Sequence, residues 1–470
     1  MKAEEMRAEY AAAQRHGVEA VPFSDVTVPK IEQGGPLAAG EFTYVDISSV
    51  DNKLKRITEY KTIAVEAAPS RAKQRLKSGD VLVSMTRPNL NAVAIVPPEL
   101  DGAVGSTGFH VLRATEGTEP RWLYYGVQTK DFISAMYELV QGALYPAVRP
   151  KDIRAYEIPH PPIDQQKRIV AEIEKQFSRL DEAVANLKRV KANLKRYKAA
   201  VLKAAASGRL VETEAERARR EGRSFETGAQ LLQRILETRR SQWQGKGKYK
   251  EPAAPDTTGL PELPGGWVWA SADQVMALIT DGEHITPQRS GSGVLLLSAR
   301  NVLNGRLDLT EVDFIPDDEH ERLCKRLTIA EGDVLLSCSG SVGRTCVVPP
   351  AVKFSLVRSV AVLRPALISS EFVCYQIQSP WLQSQIKSKQ TQTAQANIFQ
   401  GKIRQLTFAL PPEAEQDRIV AEVDRRLSLL REIEAQVDVN LRRAERLRPS
   451  ILQQAFAGGL MGMSREKLCA

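Results

Sequence analysis

The sequence PPIDQQKRIVAE at residues 161–172 decides the fold, because it returns as PPEAEQDRIVAE at residues 411–422. The two copies start 250 residues apart, and the same offset separates Gly208 from Gly458 near their ends. A repeat of this length predicts two equivalent structural units in one chain. Two unrelated amphipathic helices would not share an opening, a register and an end.

Both copies predict a long helix with a narrow apolar seam. Apolar residues recur every seven positions, which is the spacing of a helix that packs along a single partner helix. The proline pairs fit a first helical turn, where missing N–H groups cost nothing, and the glycines fit the helix ends. About 40 residues at ~1.5 Å each reach roughly 60 Å, and such a seam needs a partner in water. The predicted interface between the two helices comprises Val170, Ile173, Phe177, Leu180, Val184, Leu187, Leu194, Val420, Val423, Leu427, Leu430, Val437 and Leu441.

The charge balance favours a polyanionic partner without demanding one. The 470 residues include 65 Lys and Arg against 57 Asp and Glu, which gives a net charge of +8 and a pI near 9.1. No apolar run approaches the length that crosses a bilayer, and the charged start predicts a helix rather than a secretion signal. Five scattered cysteines predict free thiols in a reducing cytoplasm.

The globular parts of the chain repeat as well. Short β-prone runs and turns fill residues 21–113 and return in the second half, where GDVLLS at residues 332–337 echoes GDVLVS at residues 79–84. One aromatic helix is predicted over residues 121–140 and another near residues 372–386. The sequence therefore predicts an α+β chain in which two mixed α/β globular units are separated by two long antiparallel coiled-coil helices, as a pseudo-twofold tandem repeat. The predicted segments are an N-terminal helix (1–20), a globular unit (21–160), a long helix (161–210), a helical segment and linker (211–264), a second globular unit (265–410), a second long helix (411–460) and a tail (461–470).

No motif in the sequence indicates catalysis or metal binding. The Gly-rich stretch SGSVGRT at residues 339–345 lacks the spacing and the lysine of a nucleotide-phosphate loop. A tight turn explains it, and its N–H groups with Arg344 could also hold one DNA phosphate. The histidines and cysteines are isolated and lack metal-ligand spacing. We therefore expect no catalytic residue, no metal and no cofactor on this chain.

Basic and amide side chains gather in both globular units. Gln and Asn can pair with adenine edges in the major groove, and Lys with guanine or phosphate. Composition alone would explain residues 384–402 as a solvated polar loop, but two such sets on one basic chain indicate nucleic acid. The predicted DNA-binding residues are Lys53, Arg56, Arg71, Lys73, Arg87, Asn89, Arg149, Arg300, Asn301, Arg344, Lys387, Lys389, Gln392, Gln395 and Asn397.

These features resemble the DNA-specificity subunit of type I restriction-modification systems, over essentially the whole chain. The motifs that carry the resemblance are, in order, LPGGW (263–267), NVLNG (301–305), GDVLLS (332–337), ANI (396–398), LPP (410–412) with Glu415-Gln416, and ILQQAFAGGL (451–460). The segment with Leu231, Leu232, Ile235 and KYK (248–250) is similar to the linker of that family. The first globular unit departs from the pattern, because it begins with a predicted helix and lacks the Leu-Pro-x-Gly-Trp opening.

The resemblance implies two target-recognition domains that each read one half of a split, asymmetric site in double-stranded DNA, with the paired helices fixing the gap. It also implies two modification (methyltransferase) subunits, which carry the methyl donor and methylate adenine, and two restriction (motor-nuclease) subunits, which use ATP and magnesium. Two other classes remain open, namely an autonomous DNA nuclease or methyltransferase and a coiled-coil scaffold without affinity for DNA. We expect a cytoplasmic protein with no membrane partner.

Overall fold

The structure, a computed structural model, describes residues 18–36, 40–140, 146–243, 247–391 and 396–458. Most of the predicted N-terminal helix and the predicted tail lie outside these residues. The chain divides into two compact units, of which unit 1 comprises residues 1–188 and 438–470 and unit 2 comprises residues 189–437. Each unit holds one globular part and a portion of both long helices, which confirms the predicted α+β tandem repeat.

Unit 1 is built from short strands with helices near its end. Its strands are β1 (Ala20–Pro22), β2 (Glu41–Val45), β3 (Val50–Asp51), β4 (Arg56–Ile57), β5 (Lys61–Ala64), β6 (Ala72–Arg75), β7 (Val81–Ser84), β8 (Val93–Ile95), β9 (Val104–Ser106), β10 (Phe109–Leu112) and β11 (Glu157–Pro159). Its helices are α1 (Phe23–Val26), α2 (Pro120–Gly126), α3 (Lys130–Glu138) and α4 (Pro150–Arg154), followed by the first long helix, α5 (Ile163–Ala206).

Unit 2 repeats this order after two linker helices. The linker helices are α6 (Glu214–Glu221) and α7 (Gly228–Ser241), and α7 buries the predicted Leu231 and Ile235. The strands are β12 (Val268–Ser271), β13 (Met276–Asp281), β14 (Val294–Leu297), β15 (Val302–Leu303), β16 (Arg306–Leu307), β17 (Asp313–Ile315), β18 (Val334–Ser337), β19 (Thr345–Val347), β20 (Phe354–Leu356), β21 (Val360–Pro365) and β22 (Thr407–Leu410). The remaining helices are α8 (Ala272–Val275), α9 (Asp317–Cys324), α10 (Ser370–Gln378), α11 (Pro380–Lys389), α12 (Gln400–Ile403) and the second long helix, α13 (Glu413–Phe456).

The two units share most of their sheet topology and differ in which of the two main sheets has a fourth strand. The main sheets have the orders β10-β7-β8 and β5-β2-β9-β6 in unit 1, and β13-β21-β18-β19 and β17-β14-β20 in unit 2. β2 pairs with β9, and β14 with β20, in parallel, whereas the other pairs are antiparallel. The first and last strands of each globular part also pair, β1 with β11 and β12 with β22. The repeat in the sequence is therefore a repeat of the fold.

An ion pair with a buried carboxylate explains the repeated Gly-Asp-Val-Leu motif. Asp80 and Asp333 are each 1% exposed. Each accepts two hydrogen bonds of 2.7 Å from one guanidinium, that of Arg113 in unit 1 and that of Arg364 in unit 2. Each carboxylate also accepts a backbone N–H from three residues upstream, at 2.8 Å. Such bidentate, charge-assisted bonds fix the geometry at the start of β7 and β18.

A buried glutamine explains why the opening of each long helix repeats. Gln166 donates to the carbonyl of Pro161 and Gln416 to that of Pro411, at 2.7 and 3.3 Å. The side-chain oxygen of each glutamine accepts a backbone N–H at 2.9 Å from the residue that precedes α2 or α10. The repeated proline-to-glutamine spacing therefore holds the start of each long helix against a helix of its own globular part.

The long helices contact each other near both of their ends. In unit 2, Leu194 of α5 lies in one buried cluster with Leu427 of α13. In unit 1, Phe177 of α5 shares a cluster with Leu452 and Phe456 of α13, and the Phe456 ring stacks on Trp122, with 4.1 Å between ring centroids. The start of each long helix thus packs with the end of the other, so the helices run antiparallel. Every residue of the predicted interface is buried or half-buried.

Two stretches that were predicted as single helices are each divided in two. Thr129 accepts the N–H of Phe132 and caps α3, and Ser379 accepts the N–H of Leu382 and caps α11. Because a capping residue has an extended backbone, residues 121–140 and 372–386 do not form continuous helices. Residues 384–389 belong to α11, so a solvated polar loop does not describe this part of residues 384–402. Pro380 favours the first turn of that helix.

We expect Asp333→Asn to lower the free energy of unfolding by roughly 2–3 kcal/mol, because it removes charged hydrogen bonds from a buried site. Asp317→Asn is the matched control in the same unit, since the ion pair of Asp317 with Lys353 is exposed on both sides and is worth less than ~1 kcal/mol. Urea unfolding followed by tryptophan fluorescence measures both variants. Equal losses would contradict the structural role of the buried pair.

Candidate nucleic-acid interface

Three segments meet at one edge of unit 1, and we call them its loop cluster: the hairpin turn 52–55, the loop 85–92 and residues 146–149. Thr86 forms a β-bridge with Ala147, and the N–H of Arg87 donates to the carbonyl of Pro146 at 2.8 Å. On the other side, Lys55 Nζ donates to Asn91 Oδ1 at 2.9 Å. The loop after β7 is thus held between the other two segments.

Unit 2 builds the same loop cluster from residues 304–305, 338–344 and 396–399. Ser339 forms a β-bridge with Asn397, and the N–H of Gly340 donates to the carbonyl of Ala396 at 3.1 Å. Asn304 Oδ1 in the hairpin turn accepts the N–H of Thr345 at 3.1 Å. Gly340 and Gly343 have φ angles of +71° and +93°, so the Gly-rich stretch is a tight turn between β18 and β19.

Several predicted DNA-binding residues of unit 1 lie exposed on its loop cluster or beside it. Lys53 is in the hairpin turn, and Arg56 follows it at the start of β4. Arg87 and Asn89 are in the loop after β7, and Arg149 ends the third segment.

Arg71 lies in the turn before β6 of the neighbouring sheet of unit 1, and Lys73 lies on that strand. The carbonyl of Arg71 accepts the N–H of Thr107. The carbonyl of Gly108, which follows Thr107 in the chain, accepts the N–H of Met85 at the base of the loop cluster. Arg71 is therefore close to the cluster. Lys73 is exposed on β6, a strand that contributes no residue to the cluster.

The predicted residues of unit 2 are less uniform. Arg344 and Asn397 are half-buried within the loop cluster, whereas Lys387 and Lys389 lie on α11. Arg300 is engaged with Asp313, at 3.2 Å between Nη2 and Oδ2. Gln392 and Gln395 lie outside the described residues.

Asn301 has a structural role, because its buried side chain bonds to the backbone. It is 2% exposed, its Oδ1 accepts the N–H of Ser298 at 3.0 Å, and its Nδ2 donates to the carbonyls of Asp308 and Glu311. These bonds close the turn that leads into the hairpin β15–β16. Because the bonds use both ends of a buried amide, we leave Asn301 out of the proposed DNA surface.

Lys55 joins the parts of the loop cluster in unit 1. Besides its bonds to Asn91, its carbonyl accepts the hydroxyl of Tyr124 at 2.7 Å. Burial lowers the pKa of Lys55 to about 8. Lys55, Arg87 and Asn91 all have positive φ angles, between 45° and 55°, a conformation that costs non-glycine residues free energy and persists only where surrounding bonds enforce it. The cluster is thus built as a rigid set of loops.

A polar cavity of about 420 Å³ adjoins the loop cluster of unit 2, and the sequence did not reveal it. Its lining includes His284, Arg358, Asn397, Phe399 and Asp281. Asp281 accepts hydrogen bonds from Gln400 and from His284 Nε2, which fixes two sides of the cavity. The sequence repeat could have identified Phe399, because it occupies the position in unit 2 that Arg149 occupies in unit 1.

The described residues offer little for covalent chemistry. Within them, no group of three or more His, Cys, Asp or Glu side chains could hold a metal ion. Burial raises the pKa of Cys338 and Cys346 to about 12 and that of Cys374 to about 11, so these thiols stay protonated near neutral pH. In the same part of the chain, no helix has the length and apolar character to cross a bilayer.

Comparison with known proteins gives a consistent set of relatives. The family model for the type I restriction modification DNA specificity domain matches residues 30–196 and 310–439. The chain is 24% identical over 310 residues to the EcoBI specificity subunit of Escherichia coli, and 24% identical over 335 residues to the EcoKI specificity subunit of strain K12. These alignments cover 66% and 70% of this chain and 59% and 62% of the relatives. The chain thus spans about three fifths of their length.

Solved structures with the same fold cover nearly the whole chain. A chain from a structure of the type I R-M system superimposes with a TM-score of 0.68 at 24% identity, over 93% of this chain and 97% of that one. The HsdS subunit from Thermoanaerobacter tengcongensis gives a TM-score of 0.54 at 26% identity, over 94% and 97%. The tandem fold is therefore shared with these proteins.

We expect Lys55→Met to change how the free energy of unfolding depends on pH. The pKa of Lys55 is about 8 in the folded chain, against an ordinary value of 10.5. Between these two pH values the unfolded chain binds more protons than the folded chain. Stability of the wild type should therefore rise across that range relative to the variant. Urea unfolding at several pH values measures the difference, and Lys53→Met, on the same turn, is the control. Parallel curves for the wild type and Lys55→Met would contradict the effect of burial.

Proposed function

Because the chain belongs to the type I restriction-modification DNA specificity family, we propose that it is the sequence-specific DNA-recognition subunit of a type I restriction-modification complex. One observation carries the proposal: in both units the same three loops of a repeated fold meet, and they carry basic or amide side chains, which are exposed in unit 1 and partly buried in unit 2. Each unit would read one half of a split, asymmetric site, and the paired helices would set the interval between the halves.

The loop clusters carry two kinds of side chain, those suited to phosphate contacts and those suited to base contacts. Lys53, Arg56 and Arg87 are exposed cations suited to phosphates, which fix the register of a protein on DNA. Asn89 carries an amide that can pair with an adenine edge, and Arg149 adds a further exposed cation for the phosphates. In the turn around Gly340, the N–H groups of Gly340, Gly343 and Arg344 are bonded within the protein. The group of this turn that suits a phosphate in unit 2 is therefore the guanidinium of Arg344. Rigid support of these loops favours a single docking geometry, because little loop ordering is left to be done on binding.

The outer faces of the long helices are the proposed docking sites for methyltransferase subunits. In unit 2, Leu429 and Ile433 of α13 are 51% and 45% exposed and lie one turn apart, away from the buried Leu427 and Leu430. Exposed apolar pairs on a helix are suited to packing against another helix. Two methyltransferase and two motor-nuclease subunits would complete the complex, and the methyl donor, ATP and magnesium would act on those subunits. Chromosomal DNA as the target would place this complex in the cytoplasm.

Two alternative functions predict different behaviour of the purified chain. An autonomous nuclease or methyltransferase would cut or methylate DNA as a purified single chain. A coiled-coil scaffold would bind partner proteins without affinity for any duplex. Mapping methylated adenines in the host genome supplies the site. A mobility shift with that duplex against a scrambled one separates the scaffold from the other two functions, and cleavage or methylation by the purified chain would identify the autonomous enzyme.

We expect Arg87→Asn to weaken binding to all duplexes similarly and to reduce the slope of log K against log salt concentration by about 1, since one phosphate contact is lost. Asn tolerates the positive φ at this position, so the backbone should be unaffected. Arg168→Asn removes one exposed charge from α5 of the same unit and is the matched control. Fluorescence anisotropy over a salt series measures both slopes. The same slope for Arg87→Asn as for the wild type would contradict a phosphate contact.

We expect the double variant Leu429→Lys/Ile433→Lys to lose its complex with the methyltransferase subunit of its own system, because two charges would have to be desolvated in the interface. Both side chains are exposed, so the thermal melt of the chain should not change. Co-purification from a co-expressing strain measures the complex, with Glu432→Lys on the same helical turn as control. A complex that survives the double variant would locate the docking site elsewhere.

A further inference from the structure

The two units place different side chains at one equivalent position of the loop cluster. Arg149 is the residue before α4 in unit 1, and Phe399 is the residue before α12 in unit 2. The preceding residues bond alike, because Val148 donates its N–H to the carbonyl of Met85 and Ile398 donates to that of Cys338, at 2.9 and 3.0 Å. The fold therefore presents a cation at this point in one unit and an aromatic ring in the other.

Phe399 is poorly covered by its own unit. Its side chain is 64% exposed, and it borders the polar cavity described above. Ile285, the neighbour of the cavity-lining His284, is 71% exposed. A single exposed apolar residue is ordinary on a protein surface, but here two large ones stand at or next to the lining of a polar cavity.

The cavity supplies the polar groups that a nucleic-acid contact requires. Arg358 is exposed and lines the cavity with Asn397 and Phe399. The backbone N–H of Arg358 donates to the carbonyl of Glu283 at 2.9 Å, which ties the turn between β20 and β21 to the segment that carries His284. Gln400 is held by Asp281 at 2.5 Å. A ring beside a cation and amides can insert at a base step while its neighbours hold the phosphate and the base edges.

We propose that Phe399 is a wedge that enters the duplex at the half-site read by unit 2, where it partly unstacks one base step while Arg358 binds the adjacent phosphate. This inference rests on the proposed function and deepens it. Unit 1, with Arg149 at the same position, grips its half-site through charge. The half-site of unit 2 is then selected in part by how easily its step unstacks, which favours flexible pyrimidine–purine steps.

The test uses the full chain and a duplex that carries its site, selected by the wild-type chain from a random duplex library. 2-Aminopurine, which becomes brighter when it is unstacked, replaces each adenine in turn in both halves of the site. We expect the wild type to raise the fluorescence at one step of one half only. Phe399→Ala should abolish this signal and weaken binding to the site about 5- to 150-fold, whereas Phe399→Leu should retain part of both effects.

Arg149→Ala is the matched control at the equivalent position of unit 1. It should leave the 2-aminopurine signal intact and reduce the salt slope by about 1. Phe399→Ala should melt at the temperature of the wild type, because the side chain it removes is exposed. Unchanged fluorescence and affinity in Phe399→Ala would overturn the wedge and leave the proposed function standing. A wild-type chain that selects no sequence would overturn both.

Discussion

The antiparallel seam between α5 and α13 is the constraint on which the rest of the structure depends. A helix of 44 residues cannot bury such a seam by itself. Because each long helix contributes a portion to each unit, the seam also completes both cores, with Phe177 beside Leu452 in unit 1 and Leu194 beside Leu427 in unit 2. In unit 1 the strands β7 and β8 behind the loop cluster rest on this same core, through Val81, Val83 and Val93.

The fold was largely predictable from the sequence, because its repeat has a constant register and its helices have a regular apolar spacing. Gln166 and Gln416 show why the register is constant, since each must reach both a proline carbonyl and a neighbouring helix. The division of the shorter helices was missed, because Thr129 and Ser379 are ordinary residues until their side chains cap a turn. The arginines that pair with Asp80 and Asp333 lie more than 30 residues away, beyond any local pattern.

The candidate site was predictable only in outline. Charge and amide content pointed to Arg87 and Arg149, which the fold brings together across 60 residues of chain through the bond from Arg87 to Pro146. The same criterion selected Asn301, whose buried amide closes a turn, because composition does not distinguish an amide that faces solvent from one that faces the backbone. It also passed over Phe399, since an aromatic residue in a polar segment is usually assigned to a core.

The stacking of Phe456 on Trp122 has a consequence for synthesis on the ribosome. Unit 2 is a continuous stretch of chain, whereas unit 1 is assembled from both sides of it. The first globular part therefore emerges before unit 2 but leaves the Trp122 face uncovered until Phe456 has been translated. Domains generally fold as they emerge, so this globular part becomes fully native only after unit 2, and its uncovered apolar face is open to aggregation in the interval.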